Sequence, residues 1–365
     1  MAIWRRNYCS LQLWHWNIRF NTRIWKTSPS VGRGQDMRKI VNKLKRIKFY
    51  IFRTWVNIYT KTHKYSTYIG IVSCNTWKNK VYEDISTKYY LNRQGYGVDI
   101  ISYEEENDYS KYKALIIKSI WGFQKNKETF DKFLEEVSKN KIPLYNPVEI
   151  ISNNYNKEKQ FKLLDKYHIK HIDTIFIENN SNIEKNIKEI WKNKFNKYDK
   201  LVIKPVVSES SADTYIISLN EIGKNTITIK DVKNKYQNIN YSLMLQPFIK
   251  EVKNGEYSVI CFSNKLSHVI QRCVSVFGEK PYIKYIKKES IDDKMLEIVN
   301  KICLIKEYKD NLYMRIDLVK TNEEYQVMEV ELLDPQLFLN SITSIYQKKE
   351  AYQTFTKEII NRITK

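Results

Sequence analysis

No stretch of the sequence approaches the roughly 18–20 consecutive apolar residues that a membrane-spanning helix needs, which argues against an integral membrane protein. Cysteine is scarce and shows no pattern. Cys9, Cys74, Cys261, Cys273 and Cys303 are odd in number and lack CxxC or Cys/His spacing, which argues against a disulfide framework and a zinc site. Reduced thiols in a cytoplasmic protein are the expectation. His63, His168, His171 and His268 have no metal-ligand spacing, and no Ser/His/Asp or Cys/His nucleophilic set is evident. No GxGxxG follows the first strand-like segment, so a Rossmann-type dinucleotide site is unsupported. Acidic residues are almost missing from residues 1–64, where Asp36 stands alone.

That last absence explains the charge. The chain carries a net +21, yet residues 1–64 account for two thirds of it, so the body is only mildly basic and nucleic acid is not the expected partner of the core. With 365 residues, 42% hydrophobic and 28% charged, the chain is long and apolar enough for two or three folded domains.

Residues 1–36 hold Trp4, Trp14, Trp16 and Trp25 among arginines without a hydrophobic period, and no regular structure is expected there. From Arg38 to Ile58 a helical stripe emerges: Ile40, Leu44, Ile47, Ile51, Trp55 and Ile58 recur at spacings of three and four among lysines. This basic amphipathic helix over 38–58 fits an anionic membrane surface, an RNA-touching arm or an organellar targeting segment. It equally fits packing on the next domain, or a translation start at Met37.

From Tyr65 the pattern becomes regular. Strands are expected at Thr67–Ser73, Gly97–Ser102 and Ala114–Ser119 with a helix at Val81–Arg93, which is a parallel α/β unit. A helix near Lys127–Ser138 and the turn Tyr145-Asn146-Pro147 close it. The second half reads as α+β: a helix at Lys157–Tyr167, strands at Asp173–Ile177, Lys200–Val207 and Tyr241–Ile249, and two hairpins. The first hairpin pairs Glu256–Phe262 with Leu266–Val274 through Ser263-Asn264-Lys265. The second pairs Leu312–Val319 with Tyr325–Leu333 near Asn322-Glu323.

The second hairpin carries chemistry. Arg315 and Asp317 alternate with Met314, Ile316 and Leu318, and Glu329 and Glu331 alternate with Met328, Val330 and Leu332. A turn centred on Glu323 sets Asp317 opposite Glu329, with Glu331 diagonal to them. Three clustered carboxylates repel one another, and a hard divalent cation with oxygen ligands offsets that. Arg315 is a donor suited to phosphoryl or acyl oxygens. Lys204, inside the apolar strand LVIKP, calls for an anionic partner.

The order of these motifs resembles the ATP-grasp superfamily of carboxylate ligases: NKEKQF, LVIKP, LQPFIKEVKNGEYSV, MRIDLV and MEVELLDP. Trp121-Gly122-Phe123, the LYNP turn and MEVELLDPQLFLN are most similar to the group of glutathione synthetase and the cycloserine-forming cyclo-ligase. The likeness runs from about residue 67 to 345. It leaves the basic arm at 1–64 uncovered and implies a fold of mixed α/β and α+β class, with a parallel α/β pre-domain at 65–152 and two α+β lobes at 153–245 and 246–365 clasping ATP. It also implies roles. Lys159 and Lys204 would hold phosphates, helped by Ser210 and Ser211. Gln246, Phe248 and Ile249 would flank adenine, and Glu256 would accept from the ribose. Asp317, Glu329 and Glu331 would bind two Mg²⁺, or Mn²⁺, while Arg315 and Arg272 would stabilise charge on the reacting acyl group.

An amide would form through an acyl phosphate, from a small carboxylate and an amine, with a homodimer left open. Two departures accompany the likeness. Residues 208–213 contain no glycine where many relatives have a glycine-rich loop, and Glu331 stands where many have Asn. A degenerate ATP-binding or scaffold protein whose arm binds membrane or nucleic acid is the alternative.

Overall fold

The computed structural model describes residues 31–208, 213–218, 226–273 and 281–364. The chain opens with α1 (Val31–Thr62), followed by β1 (Tyr68–Ser73), α2 (Tyr82–Asn92), β2 (Gly97–Ser102), β3 (Tyr112–Ser119), α3 (Lys127–Lys139) and β4 (Leu144–Tyr145). The four strands form a parallel sheet in the order β2-β1-β3-β4. Its strands read as near-continuous apolar runs because both faces are covered. Phe130, Phe133, Leu134 and Val137 of α3 recur at helical spacing and seal one face.

Next come α4 (Val148–Asn154), α5 (Lys157–Lys166), β5 (Ile175–Ile177), α6 (Ile183–Asn193), β6 (Lys200–Pro205), β7 (Tyr215–Ser218), β8 (Thr226–Ile227), α7 (Val232–Lys235) and β9 (Leu243–Pro247). These strands make a second sheet in the order β5-β9-β6-β7-β8, antiparallel except for β7 with β8. The rest of the chain supplies β10 (Glu256–Phe262), β11 (Lys265–Cys273), β12 (Tyr282–Ile286), α8 (Asp293–Cys303), β13 (Tyr313–Thr321), β14 (Glu324–Glu331) and α9 (Ile345–Ile363). The third sheet is antiparallel, in the order β12-β11-β10-β13-β14.

The boundaries expected at 152/153 and 245/246 fall inside α4 and β9. Because β9 is hydrogen-bonded to β6, the change of sheet comes after Pro247. α9 was not foreseen. It packs Tyr352, Phe355 and Ile359 into the same core as β1 and β3, and the Tyr352 ring stacks on Tyr90 at 4.9 Å.

Both hairpin turns are tighter than expected. Phe262 pairs with Lys265 and Thr321 with Glu324, so each turn has two residues, and Lys265 belongs to its strand. Ser263, Asn264, Asn322 and Glu323 all take positive φ, the geometry of a turn that matches strand twist.

The helix foreseen over 38–58 is longer, and of the foreseen stripe only Trp55 belongs to its packed face. Residues 40–48 are all exposed. From Phe49 onward Phe49, Phe52, Trp55 and Val56 pack on α2, with Phe52 stacked on Tyr82 at 5.2 Å. Asn92 also donates to Thr60 Oγ1 at 2.6 Å. Residues 1–30, including the four tryptophans, lie outside the described residues. Among the described residues no helix is long and apolar enough to cross a membrane.

Candidate active site between the second and third sheets

A cavity of about 390 Å³ opens between the second and third sheets, beneath the end of the parallel sheet. Its charged floor is β13 and β14. Asp317 pairs with Glu329 and Arg315 with Glu331. The first pairing is the expected one, reached by a different route. With a two-residue turn at Asn322-Glu323, uninterrupted pairing would set Asp317 against Met328. A register shift between Asp317 and Leu318 leaves Met328 as the extra residue and brings Glu329 into place.

The outer edge of β14 is closed by side chains. Asn154 accepts from the Leu332 amide at 2.8 Å and donates to the Val330 carbonyl at 2.7 Å. Gln160 accepts from the Val330 amide at 2.8 Å and donates to the same carbonyl at 2.6 Å. These amides stand in for a missing strand and fix the height of Glu329 and Glu331.

The carboxylates are already compensated by protein cations. Arg315 donates to Asp317 Oδ1 and Oδ2 at 3.0 and 2.9 Å and also pairs with Glu331. Arg272 bridges Glu256 at 3.0 Å and Asp317 at 3.1 Å, and Ser258 donates to Asp317 Oδ1 at 2.6 Å. Lys157 pairs with Glu329 at 3.2 Å and donates to the Ser208 carbonyl.

Burial alone would raise the Asp317 carboxyl, but Arg315 and Arg272 hold it at about 2. Burial also raises Glu331, to about 7, because Arg315 is shared and Glu329 and Asp317 repel it. Burial opposes ionisation of Glu329 as well, yet Lys157 and Lys204 pull its carboxyl below the usual range. Glu256 is pushed up by burial despite Arg272. Lys204, also on the cavity wall, is pushed down by desolvation against the attraction of Glu329.

Most of the expected residues meet here. Lys204, Gln246, Phe248, Ile249, Glu256, Arg272, Arg315, Asp317, Glu329 and Glu331 all line the cavity. Lys159 does not. Asn156 caps α5, accepting from the Glu158 and Lys159 amides, and the Lys157 amide donates to the Val206 carbonyl at 2.9 Å. That start aims Lys157 into the cavity. Lys159 is about 200° further round the helix and is exposed. Lys157 therefore replaces Lys159 as the lysine of this motif. Ser210 and Ser211 lie outside the described residues. Sequence reading also missed the aromatic wall of Trp121, Phe123, Tyr155 and Phe338. Trp121-Gly122-Phe123 had been noticed as a motif but given no place in the site.

The opposite end of the cavity is apolar, with Ile172, Val202, Phe248, Ile249, Val252 and Met328 around a slot suited to a flat ring. Gln246, on β9, is fixed by a 2.8 Å bond to Thr174 and offers a polar edge. Among the described residues no three His, Cys, Asp or Glu side chains form a ready metal cage. The expected trio is therefore not a preassembled site. As oxygen donors on adjacent strands Asp317, Glu329 and Glu331 do fit Mg²⁺, an ion that keeps few protein ligands and takes phosphate oxygens for the rest.

The overall architecture superposes on three solved structures. D-cycloserine synthetase DcsG aligns with a TM-score of 0.71 at 16% identity, over 81% of this chain and 99% of that one. D-alanine–D-alanine ligase from Bacillus anthracis, complexed with ATP, aligns at 0.56 and 15%, over 82% and 98%. The ATP-grasp ligase PsnB, complexed with a precursor variant, Mg and ADP, aligns at 0.53 and 13%, over 83% and 100%.

The chain has the ATP-grasp fold.

Residues 69–146 of this ATP-grasp chain also match the family model for the N-terminal domain of D-cycloserine synthetase DcsG, which places that likeness on the parallel α/β unit. No curated protein matches the sequence.

Proposed function

We propose that the protein is an ATP-dependent carboxylate–amine ligase, which forms an amide through an acyl phosphate and releases ADP and phosphate. The supporting observation is the register that puts Arg315, Asp317, Glu329 and Glu331 on one cavity floor with Lys157 and Lys204 close to Glu329. Lys157 and Lys204 hold phosphate oxygens as compact cations, with Ser210 and Ser211 as further donors. Gln246, Phe248 and Ile249 frame the adenine, and Glu256 accepts from the ribose. Arg315 and Arg272 face the charge that builds on the acyl oxygens.

Asp317, Glu329 and Glu331 are the residues that would hold Mg²⁺, two ions by the resemblance and Mn²⁺ in their place, whose chemistry is to neutralise the phosphates. Positioning and electrostatics carry the rate, because phosphoryl transfer asks little covalent chemistry of the protein. The substrates are an amino acid or a small peptide-like carboxylate and an amine, a reading supported by the D-alanine in the name of one similar ligase and the precursor bound to PsnB. The parallel α/β unit serves as pre-domain and the parts built on the second and third sheets, divided after Pro247, as two clasping lobes, and the cytoplasm is the proposed compartment.

An ADP-release screen against amino acids, dipeptides and hydroxy acids tests the reading. Turnover with one acid–amine pair, lost by at least about a hundredfold in Glu329→Gln with the fold intact, is expected. ATP binding without turnover on any pair would make the chain a nucleotide-binding scaffold instead.

A further inference from the structure

α1 is apolar on two faces, and the body of the protein covers one. Phe49, Phe52 and Val56 face α2 and the core beneath it. On the other side Ile40, Leu44, Ile47, Ile51 and Ile58 remain 52%, 46%, 45%, 45% and 56% exposed. At 100° per residue these five fall within an arc of roughly 60°, whose midline stands about 110° from that of the packed face, to which Trp55 also belongs. The stripe cannot turn inward without pulling Phe52 and Val56 out of the core. Residues 40–48 are exposed all round, so a flat surface can approach the stripe over a length of about 27 Å from Ile40 to Ile58.

The charges identify the surface. Between Arg38 and Thr62 the helix carries eight Lys or Arg and no acid. By helical spacing Lys43 and Lys48 flank the stripe on either side, where their stems can lie on apolar surroundings while the ammonium groups reach anions. The sequence before the helix adds Trp4, Trp14, Trp16 and Trp25 among arginines, residue types favoured at a membrane–water boundary. A second copy of the helix would set eight like charges against eight. RNA would use the cations but not an aliphatic stripe, since nucleobases stack on aromatic rings.

We propose that the exposed face of α1 docks on an anionic phospholipid surface, leaving the nucleotide cavity free. The inference is independent of the ligase reading, because none of these residues lines that cavity.

The test uses the full chain and vesicles of phosphatidylcholine alone or mixed with phosphatidylserine, at low and high salt. Co-sedimentation is expected with the mixed vesicles, weakened by salt and absent with phosphatidylcholine alone. Ile47→Glu/Ile51→Glu should weaken binding by roughly tenfold or more with no change in melting temperature, because both positions are exposed. Lys43→Gln/Lys48→Gln should make the salt dependence shallower. The proposal is overturned by any of three results: the Ile47/Ile51 variant pelleting as the parent does; a salt-sensitive complex with single-stranded RNA in place of vesicle binding; or a solution dimer that the same variant dissolves.

Discussion

Two clusters of buried charge show how differently the same residue types can be used. Under α2, Glu83 takes hydrogen bonds from Lys118 at 2.8 Å and from the amides of Leu337 and Leu339 at 3.3 and 3.1 Å, donors that among the described residues bond no other carboxylate, although the Lys118 charge also attracts Asp84. In the cavity between the second and third sheets the cations are shared. Arg315 serves both Asp317 and Glu331, and Arg272 serves both Asp317 and Glu256. Burial, together with repulsion from Glu329 and Asp317, outweighs the shared Arg315 and raises the Glu331 carboxyl to about 7. A carboxylate with dedicated donors ties segments of the fold together, here α2 to the chain after β14. Carboxylates that compete for donors are ready to accept another cation, and their cations are ready to accept an anion.

The largest expected effect breaks the dedicated cluster. Glu83→Ala leaves Lys118 unpaired in the interior and two amides without an acceptor, so unfolding free energy should fall by about 3–5 kcal/mol in a denaturant titration. Adding Lys118→Met should restore part of that. A single variant as stable as the parent would mean that Glu83 is not holding this corner.

A somewhat smaller effect belongs to Asp84, next to that cluster. Burial raises its carboxyl to about 6, and Oδ1 has no hydrogen-bond partner while Oδ2 accepts from Ser119 at 2.7 Å. A carboxyl raised in the folded state destabilises it above about pH 6 and ceases to do so as pH falls toward 4. Asp84→Asn should therefore be more stable than the parent at pH 7 by up to about 3 kcal/mol, and the advantage should vanish near pH 4. A difference independent of pH would show that Asp84 does not titrate in this window. His268 works in the opposite sense over a similar range. Burial lowers it to about 4, so its contribution is lost as pH drops from about 6.5, which is why the difference between variant and parent is the quantity to read.

The smallest effect sharpens the shared cluster. Lys157→Met should weaken ATP binding by roughly tenfold to a hundredfold in calorimetry, while Lys159→Met leaves it unchanged. Equal losses in the two variants would return Lys159 to the site.

These two lysines also show where the sequence stops being legible. Strands, hairpins and the facing of Asp317 and Glu329 could be read because alternation and turn residues are local signals. Lys157 and Lys159 both sit in a polar first turn, and the contact that chooses between them is the Val206 carbonyl, some fifty residues away. The bulge at Met328 left no mark in the pattern either. Nor did the arginines and lysines that compensate the acids, since their convergence needs the second and third sheets and α5 in place. The stripe on α1 was legible as apolar. Which face the body would take was not, because that depends on Tyr82 and Tyr89 presenting rings to Phe52 and Trp55.

Helix α5 touches both halves of the cavity between the second and third sheets. Phe161 packs with Val206, Val207 and Met244 on the side of the second sheet, while Leu164 enters the core of the third. Lys157 is bonded to Val206 at one end, and Gln160 to Val330 one turn later. The helix is thus a spacer bar, and its thickness sets the gap between the strand that carries Lys204 and the strand that carries Glu329. Any change in the distance between those two strands must therefore move the bar, and Lys157 at its tip moves with it.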